Sequence, residues 1–161
     1  MSRTALEIWR TLSSKPGGKW LFSRLVCFKA PYFATIRPRF EQLEPGCCVV
    51  RIRKRRSVLN HIGTVHAIAM CNMAELAGGT MTDVTVPSTH RWIPKSMTVN
   101  YLKKASTDLV AVATPDSIVD WSAPGEYKVN VVVHDQHEEP VFKAQIIMWV
   151  SPKKDSNAKS A

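Results

Sequence analysis

The chain has 161 residues, 45% hydrophobic and 22% charged, with only 7 Gly and 10 Pro, enough for one domain with its own core and unlike a disordered or fibrous chain. No apolar stretch approaches the roughly 18 residues needed to cross a bilayer, because Lys19, Arg24 and Lys29 break the most hydrophobic early segment, and Glu7 and Arg10 stand where a secretory leader would be apolar. A cytoplasmic protein is expected. The formal charge of +9 is unevenly placed: residues 1–65 hold 13 Lys/Arg against 3 acids, and the remainder 9 against 10. Such a half suits nucleic acid, anionic lipid or a small polyphosphate ligand.

In chain order, residues 4–13 (Leu6, Trp9, Leu12) and 19–29 (Trp20, Leu21, Leu25, Phe28) carry helical spacing, separated by Pro16-Gly17-Gly18. The apolar face of the second helix is expected to pack over a sheet, with a membrane surface as the less common use of the pattern. Strands follow at 35–43 and 48–54, joined by the turn Glu44-Pro45-Gly46. Residues 66–79, rich in Ala and Met and closed by Gly78-Gly79, form the strongest helical segment and are expected to be buried. Four strand-like runs come next, at 96–103, 108–114, 126–134 and 141–150, with Tyr127, Val129, Val131 and Val133 alternating in the third and Phe142, Ala144, Ile146 and Met148 in the fourth. From Ser151 the small polar residues and lysines read as a tail. Two strands, one apolar helix and four more strands make an α+β chain whose antiparallel sheet must wrap around or cover a single long helix.

Cys27, Cys47, Cys48 and Cys71 include no Cys-x-x-Cys pair, so neither a zinc knuckle nor a disulfide framework is indicated. Reduced, buried thiols are expected. No metal set emerges either, since His61 and His66 lack a suitably spaced third ligand.

The chemistry concentrates in Asn60-His61-Ile62-Gly63-Thr64-Val65-His66-Ala67 and the helix after it, which holds Cys71, Asn72 and Glu75. A carboxylate among Met73, Ala74, Leu76 and Ala77 is costly to bury unless it is paired, protonated or used. The blander readings are an ion pair for Glu75, a turn cap for Asn60 and a helix-start histidine for His66. Nine residues of α-helix rise about 13 Å over about two and a half turns. His66 and Glu75 therefore point to opposite sides, and if they act on one bond they do so from two subunits, in a symmetric dimer with two composite sites.

The spacing of Asn60, Gly63, His66 and Glu75 resembles the motif of hotdog-fold acyl-CoA thioesterases of the phenylacetic-acid-pathway type. The wider text, from Pro31-Tyr32-Phe33 through NHIGTVHAIAMCNMAELAGG to the last strand, is still more similar to a bacterial hotdog family known only as a domain of unknown function. The resemblance implies a hotdog domain over residues 30–151, after a helical extension at 1–29 and before a flexible tail at 152–161. It implies hydrolysis of a thioester by a homodimer or a dimer of dimers. Coenzyme A enters as part of the substrate, with no other cofactor. Glu75 would be general base or nucleophile, His66 would assist at the carbonyl or sulfur, and Asn60 would orient water or the carboxylate. The Ala67 N–H at the helix start, reached past Gly63, would hold the oxyanion. Asn72 would hold the Glu75 carboxylate. In the run Arg51-Ile52-Arg53-Lys54-Arg55-Arg56, Arg53, Arg55 and Arg56 are candidates for the coenzyme A phosphates, against the blander reading of a solvated strand end. The run lacks interleaved aromatics, so nucleic acid is not expected as partner. Two departures from the thioesterase pattern stand out: Ala67-Ile68 in place of Gly-Gly after the His, and Glu in place of the commoner Asp. A non-catalytic hotdog protein that binds an acyl chain is the alternative, and a hotdog dehydratase ranks after it.

Overall fold

In the computed structural model, residues 4–117 and 119–153 are described. Two N-terminal helices, α1 (Ala5–Ser13) and α2 (Gly18–Lys29), lead through a short 3-10 helix at Pro31–Ile36 into a hairpin of β1 (Arg39–Glu44) and β2 (Cys47–Ile52). A long helix, α3 (Ala67–Thr85), follows, then β3 (His90–Tyr101), β4 (Leu109–Pro115), β5 (Gly125–His134) and β6 (Pro140–Pro152). All six strands form one antiparallel sheet in the order β1-β2-β4-β5-β6-β3.

The sheet curls around α3, and the alternation of buried with less buried positions in β4 and β5 shows which face looks inward. Val129, Val131 and Val133 of β5 and Ala111 and Ala113 of β4 are fully buried on that face. Within α3, Met70, Met73, Leu76, Ala77 and Met81 are buried, whereas Met97 lies exposed on β3.

α3 is six residues longer at its C-terminal end than expected, because Gly78 and Gly79 do not stop it. A Cβ on Gly78 would come 2.9 Å from Cδ1 of Ile146, and one on Gly79 would come 3.2 Å from the Trp92 ring. These glycines let strands lie close against the helix. The strand expected at 35–43 begins instead at Arg39, since Pro31 nucleates the 3-10 turn. β3 starts six residues earlier than expected and accommodates Pro94 by a register irregularity between Pro94 and Ser96. Pro152 belongs to β6, and Lys153 donates from its backbone N to Thr89 O and from Nζ to Ser88 O. The rest of the expected tail lies outside the described residues.

α2 packs with the opposite face from the one its strongest apolar stripe suggested. Phe22 is buried between Trp9 and Phe40, edge-on to each at 5.1 Å, while Phe28 is 89% exposed and Trp20 61%. The buried Ser23 decides the matter: its hydroxyl donates to Lys19 O at 2.7 Å and accepts from the Phe40 N–H at 2.9 Å, tying the helix to β1. Phe22→Ala should therefore destabilise the fold by about 3–5 kcal/mol, and Phe28→Ala by less than about 0.5 kcal/mol. Urea denaturation of the two variants checks this, and equal effects would mean that the two faces are misassigned.

Candidate functional site

The segment before α3 is a closed loop. Leu59 and Val65 pair as an isolated antiparallel bridge, the Asn60 N–H donates to Thr64 O, and Gly63 takes a left-handed φ of +79° that favours glycine. Asn60 organises this loop from within. Its Oδ1 accepts from the N–H groups of Ile62 and Thr64, both at 3.1 Å, and its Nδ2 donates to the Thr64 hydroxyl at 2.8 Å. Such Asx-type bonding is what a short polar side chain offers a turn.

His66 is the N-cap of α3. Its Nδ1 accepts from the Ile68 N–H at 3.0 Å, which satisfies one orphan donor of the helix start and places the ring proton of the neutral form on Nε2. The backbone beside it is held by His66 N donating to Val58 O and Val65 N to Ala105 O. The Ala67 N–H has no partner among the described residues, so a donor remains at the positive end of the 19-residue helix. His66 opens onto a cleft of about 340 Å³, floored by Ala69 and Asn72 and walled by Tyr32, Thr35 and Leu59.

The expected bond between Asn72 and Glu75 is not formed. Asn72 is buried and turns toward the 3-10 helix, donating from Nδ2 to the Thr35 hydroxyl at 3.0 Å, while its Oδ1 is buried without a partner. The Thr35 hydroxyl in turn donates to Tyr32 O, and Thr35 O accepts from Nη2 of Arg55 at 2.7 Å. One threonine thus links helix, turn and arginine.

Glu75 is exposed in the protomer, contrary to the burial its apolar sequence neighbours suggested. The reason is angular: Ile68 and Glu75 are seven residues apart, 20° short of two full turns, and share the narrow stripe of α3 that the sheet leaves open. Among the described residues Glu75 makes no ion pair and no side-chain hydrogen bond. It lines a mainly apolar cleft of about 320 Å³ with Val26, Phe33, Leu76, Trp92 and Met148, and with Lys29 and Asp83 as further charges. His66 and Glu75 therefore line separate clefts of one protomer.

Neither Arg53 nor Arg55 continues the strand, since β2 ends at Ile52. Both line a strongly basic cleft between α2 and the β1–β2 hairpin, and Arg56 is not among its lining residues. Sequence reasoning missed its other wall, Arg24, Arg37 and Arg39, which lie far from the basic run in sequence. The clustering of 13 basic residues in the first 65 was the available signal.

Cys27 and Cys48 are buried free thiols, and burial pushes both up from the ordinary thiol value, as expected of inert core cysteines. Cys47 and Cys71 are only half-buried, contrary to expectation, and the Cys71 thiol lies 3.5 Å from the Tyr101 hydroxyl. No group of His, Cys, Asp and Glu that could hold a metal ion occurs among the described residues. No helix among them is long and apolar enough to cross a membrane.

A family described as a domain of unknown function, DUF4442, matches residues 18–150. The chain belongs to this family. The match takes in α2 and every strand, so α2 is part of what the DUF4442 chains share. A structural-genomics protein, APC5556, has a crystal structure 50% identical in sequence, with a TM-score of 0.81, covering 92% of this chain and 98% of its own. PA5026 of Pseudomonas aeruginosa, a protein of unknown function called a probable thioesterase, is 24% identical with a TM-score of 0.72, over 81% and 93% of the two chains. Thioesterase HI1161 of Haemophilus influenzae is 9% identical with a TM-score of 0.69, over 78% and 86%. At such identities the last two speak for the fold, which is the hotdog fold. No curated protein matches the sequence.

If Asn60 acts as the loop's scaffold, Asn60→Ala removes three hydrogen bonds and should cost about 1–3 kcal/mol of stability. Asn60→Asp, which keeps the acceptor for both N–H groups, should cost less. Chemical denaturation of both variants reads this directly, and an Asn60→Ala protein of undiminished stability would remove the scaffold role.

Proposed function

We propose that this DUF4442 protein is an acyl-CoA thioesterase whose two composite sites form between paired protomers. The observation that carries the reading is an unpaired carboxylate, Glu75, set in an apolar cleft on the open stripe of α3. A carboxylate that forms no ion pair and stands beside apolar walls is suited to meet water and an acyl chain together.

Dimerisation is supported by the sheet's two unequal edges. Among the described residues β3 pairs with β6 alone, leaving the other side of a 12-residue strand without a strand partner there, and it carries exposed Ile93, Met97 and Tyr101. A long apolar edge of this kind is a template for a second strand. Pairing of two protomers there would cover both open stripes and bring each Glu75 toward the partner's helix start.

In the reaction, the thioester carbonyl oxygen sits on the Ala67 N–H and is polarised by the helix end. The Nε2–H of His66 is the second donor within this loop, its tautomer fixed by the cap. Glu75 takes a proton from water as the water oxygen bonds to the carbonyl carbon, or attacks that carbon itself to give a mixed anhydride. On the first route collapse of the oxyanion breaks the C–S bond and Glu75 hands its proton to the departing thiolate; on the second the C–S bond breaks as the anhydride forms, the thiolate takes a proton from water, and the hydroxide left behind splits the anhydride to free the acid and Glu75. Asn60 serves by holding the loop that aims these donors, and Asn72 by fixing α3 to the 3-10 turn.

A second reading, a hotdog protein that binds an acyl chain without cleaving it, has one observation in its favour. Ile68, 56% exposed, stands at the helix start where a thioester would approach.

Purified protein assayed against a panel of acyl-CoA thioesters should hydrolyse at least one chain length, and Glu75→Gln should lower turnover by about 10²–10⁴-fold. Because Glu75 is exposed and unpaired, the variant should retain its thermal unfolding profile. Light scattering should give twice the protomer mass. No turnover at any chain length, with acyl-CoA still bound, would establish the binder, and a monomer would remove the composite site.

A further inference from the structure

Between α2 and the β1–β2 hairpin lies a cleft of about 720 Å³ whose charge is not compensated. Arg24 of α2, with Arg37 and Arg39 at the entry to β1, forms one wall, and Arg51, Arg53 and Arg55 form the other. Among the described residues two carboxylates, Glu41 and Asp108, line it, and both are engaged. Glu41 accepts from Lys19 at 3.3 Å and from Arg39 at 3.2 Å, and Asp108 accepts the Lys54 backbone N–H at 2.9 Å. Arg24, Arg37, Arg51, Arg53 and Arg55 form no ion pair among the described residues.

Three further features single the cleft out from an ordinary solvated basic face. Arg37 holds a left-handed backbone, φ +46° and ψ +62°, a conformation that a non-glycine residue adopts at a cost and that tends to mark functional sites. Arg55 is anchored by Nη2 on Thr35 O while its Nε is buried with no partner. Burial, and to a lesser degree the charge of Arg37, hold its guanidinium below the ordinary arginine value. Finally, the Trp20 indole lines the same cleft and is 61% exposed, a flat apolar face beside the guanidinium groups.

We propose that this cleft binds the clustered phosphates of a small nucleotide-bearing ligand, with Trp20 stacking on its base. Guanidinium forks on facing walls match phosphate oxygens that two-point contacts can grip, and an indole accepts any planar base. The cleft and the His66 pocket meet through Thr35, which accepts from Arg55 on one side and Asn72 on the other. Naming the ligand as the nucleotide end of an acyl-CoA rests on the thioesterase reading; the phosphate site itself does not.

The test titrates the full chain with adenosine 3′,5′-bisphosphate, coenzyme A and pantetheine, following Trp fluorescence and calorimetry at low and moderate salt. The first two should bind and weaken as salt rises, and pantetheine should bind at least tenfold more weakly. A double variant, Arg37→Gly with Arg53→Ala, should lose at least tenfold in affinity for the bisphosphate. Glycine at position 37 relieves the left-handed backbone, so folding is preserved, and Lys143→Ala controls for bulk charge. Failure of the bisphosphate to bind, or equal binding by the double variant, overturns the proposal. Binding confined to phosphatidylglycerol vesicles, with none to the soluble bisphosphate, overturns it in favour of a lipid surface. The two readings fail separately. Bisphosphate binding without thioester hydrolysis keeps the cleft and removes the enzyme. Hydrolysis whose KM is unchanged in the double variant keeps the enzyme and removes the cleft.

Discussion

The wrapping of one sheet around α3 is the constraint from which the rest of the molecule follows. The helix is apolar nearly all round, so it is stable only when strands cover most of its surface. Gly78 and Gly79 permit that coverage by removing side chains where Ile146, Val129 and Trp92 press in. What the sheet cannot reach becomes the open stripe with Ile68, Cys71 and Glu75. The position of the one carboxylate in the middle of the helix is thus set by sheet curvature. The helix start is set independently, by the His66 cap and the Asn60 loop.

The two edges of the sheet are finished differently. At β1 the outward backbone groups find partners on α2: the Phe40 N–H meets the Ser23 hydroxyl, and Glu41 O meets Nζ of Lys19 at 2.8 Å. At β3 no such cover is present among the described residues. An edge closed by side chains resists further pairing, whereas a bare one invites it. The N-terminal helices therefore close one edge of the sheet as well as enlarging the core. By holding β1 they also build one wall of the basic cleft.

The sequence disclosed the order of elements well, because strand alternation in β5 and β6 and the Ala- and Met-rich helix are strong periodic signals. It disclosed less where two patterns compete. α2 carries two apolar stripes, and only tertiary bonding through Ser23 selects the one with Phe22 over the one with Phe28. Gly78-Gly79 reads locally as a stop and acts globally as a packing surface. Of the candidate residues, the spacing located His66 and Glu75 on different sides of α3, but the partner of Asn72 is Thr35, 37 residues away, which no local spacing encodes. The basic cleft was half visible: Arg53 and Arg55 stand in an obvious run, while Arg24, Arg37 and Arg39 join them only through the packing of α2 on β1.

Exposure of Glu75 in a single protomer bears on chemistry as well as geometry. A carboxylate facing water is screened, and solvent competes for its hydrogen bonds. The same group covered by a second protomer acts in a drier site, where the Ala67 N–H and the helix end also gain strength. Covering the stripe would therefore do two things at once: it would bury Ile68 and the apolar edge residues of β3, which favours association, and it would create the low-dielectric surroundings that hydrolysis requires. On this view assembly and activity share one driving force, and a change that weakens the β3 edge should act on turnover as well as on association.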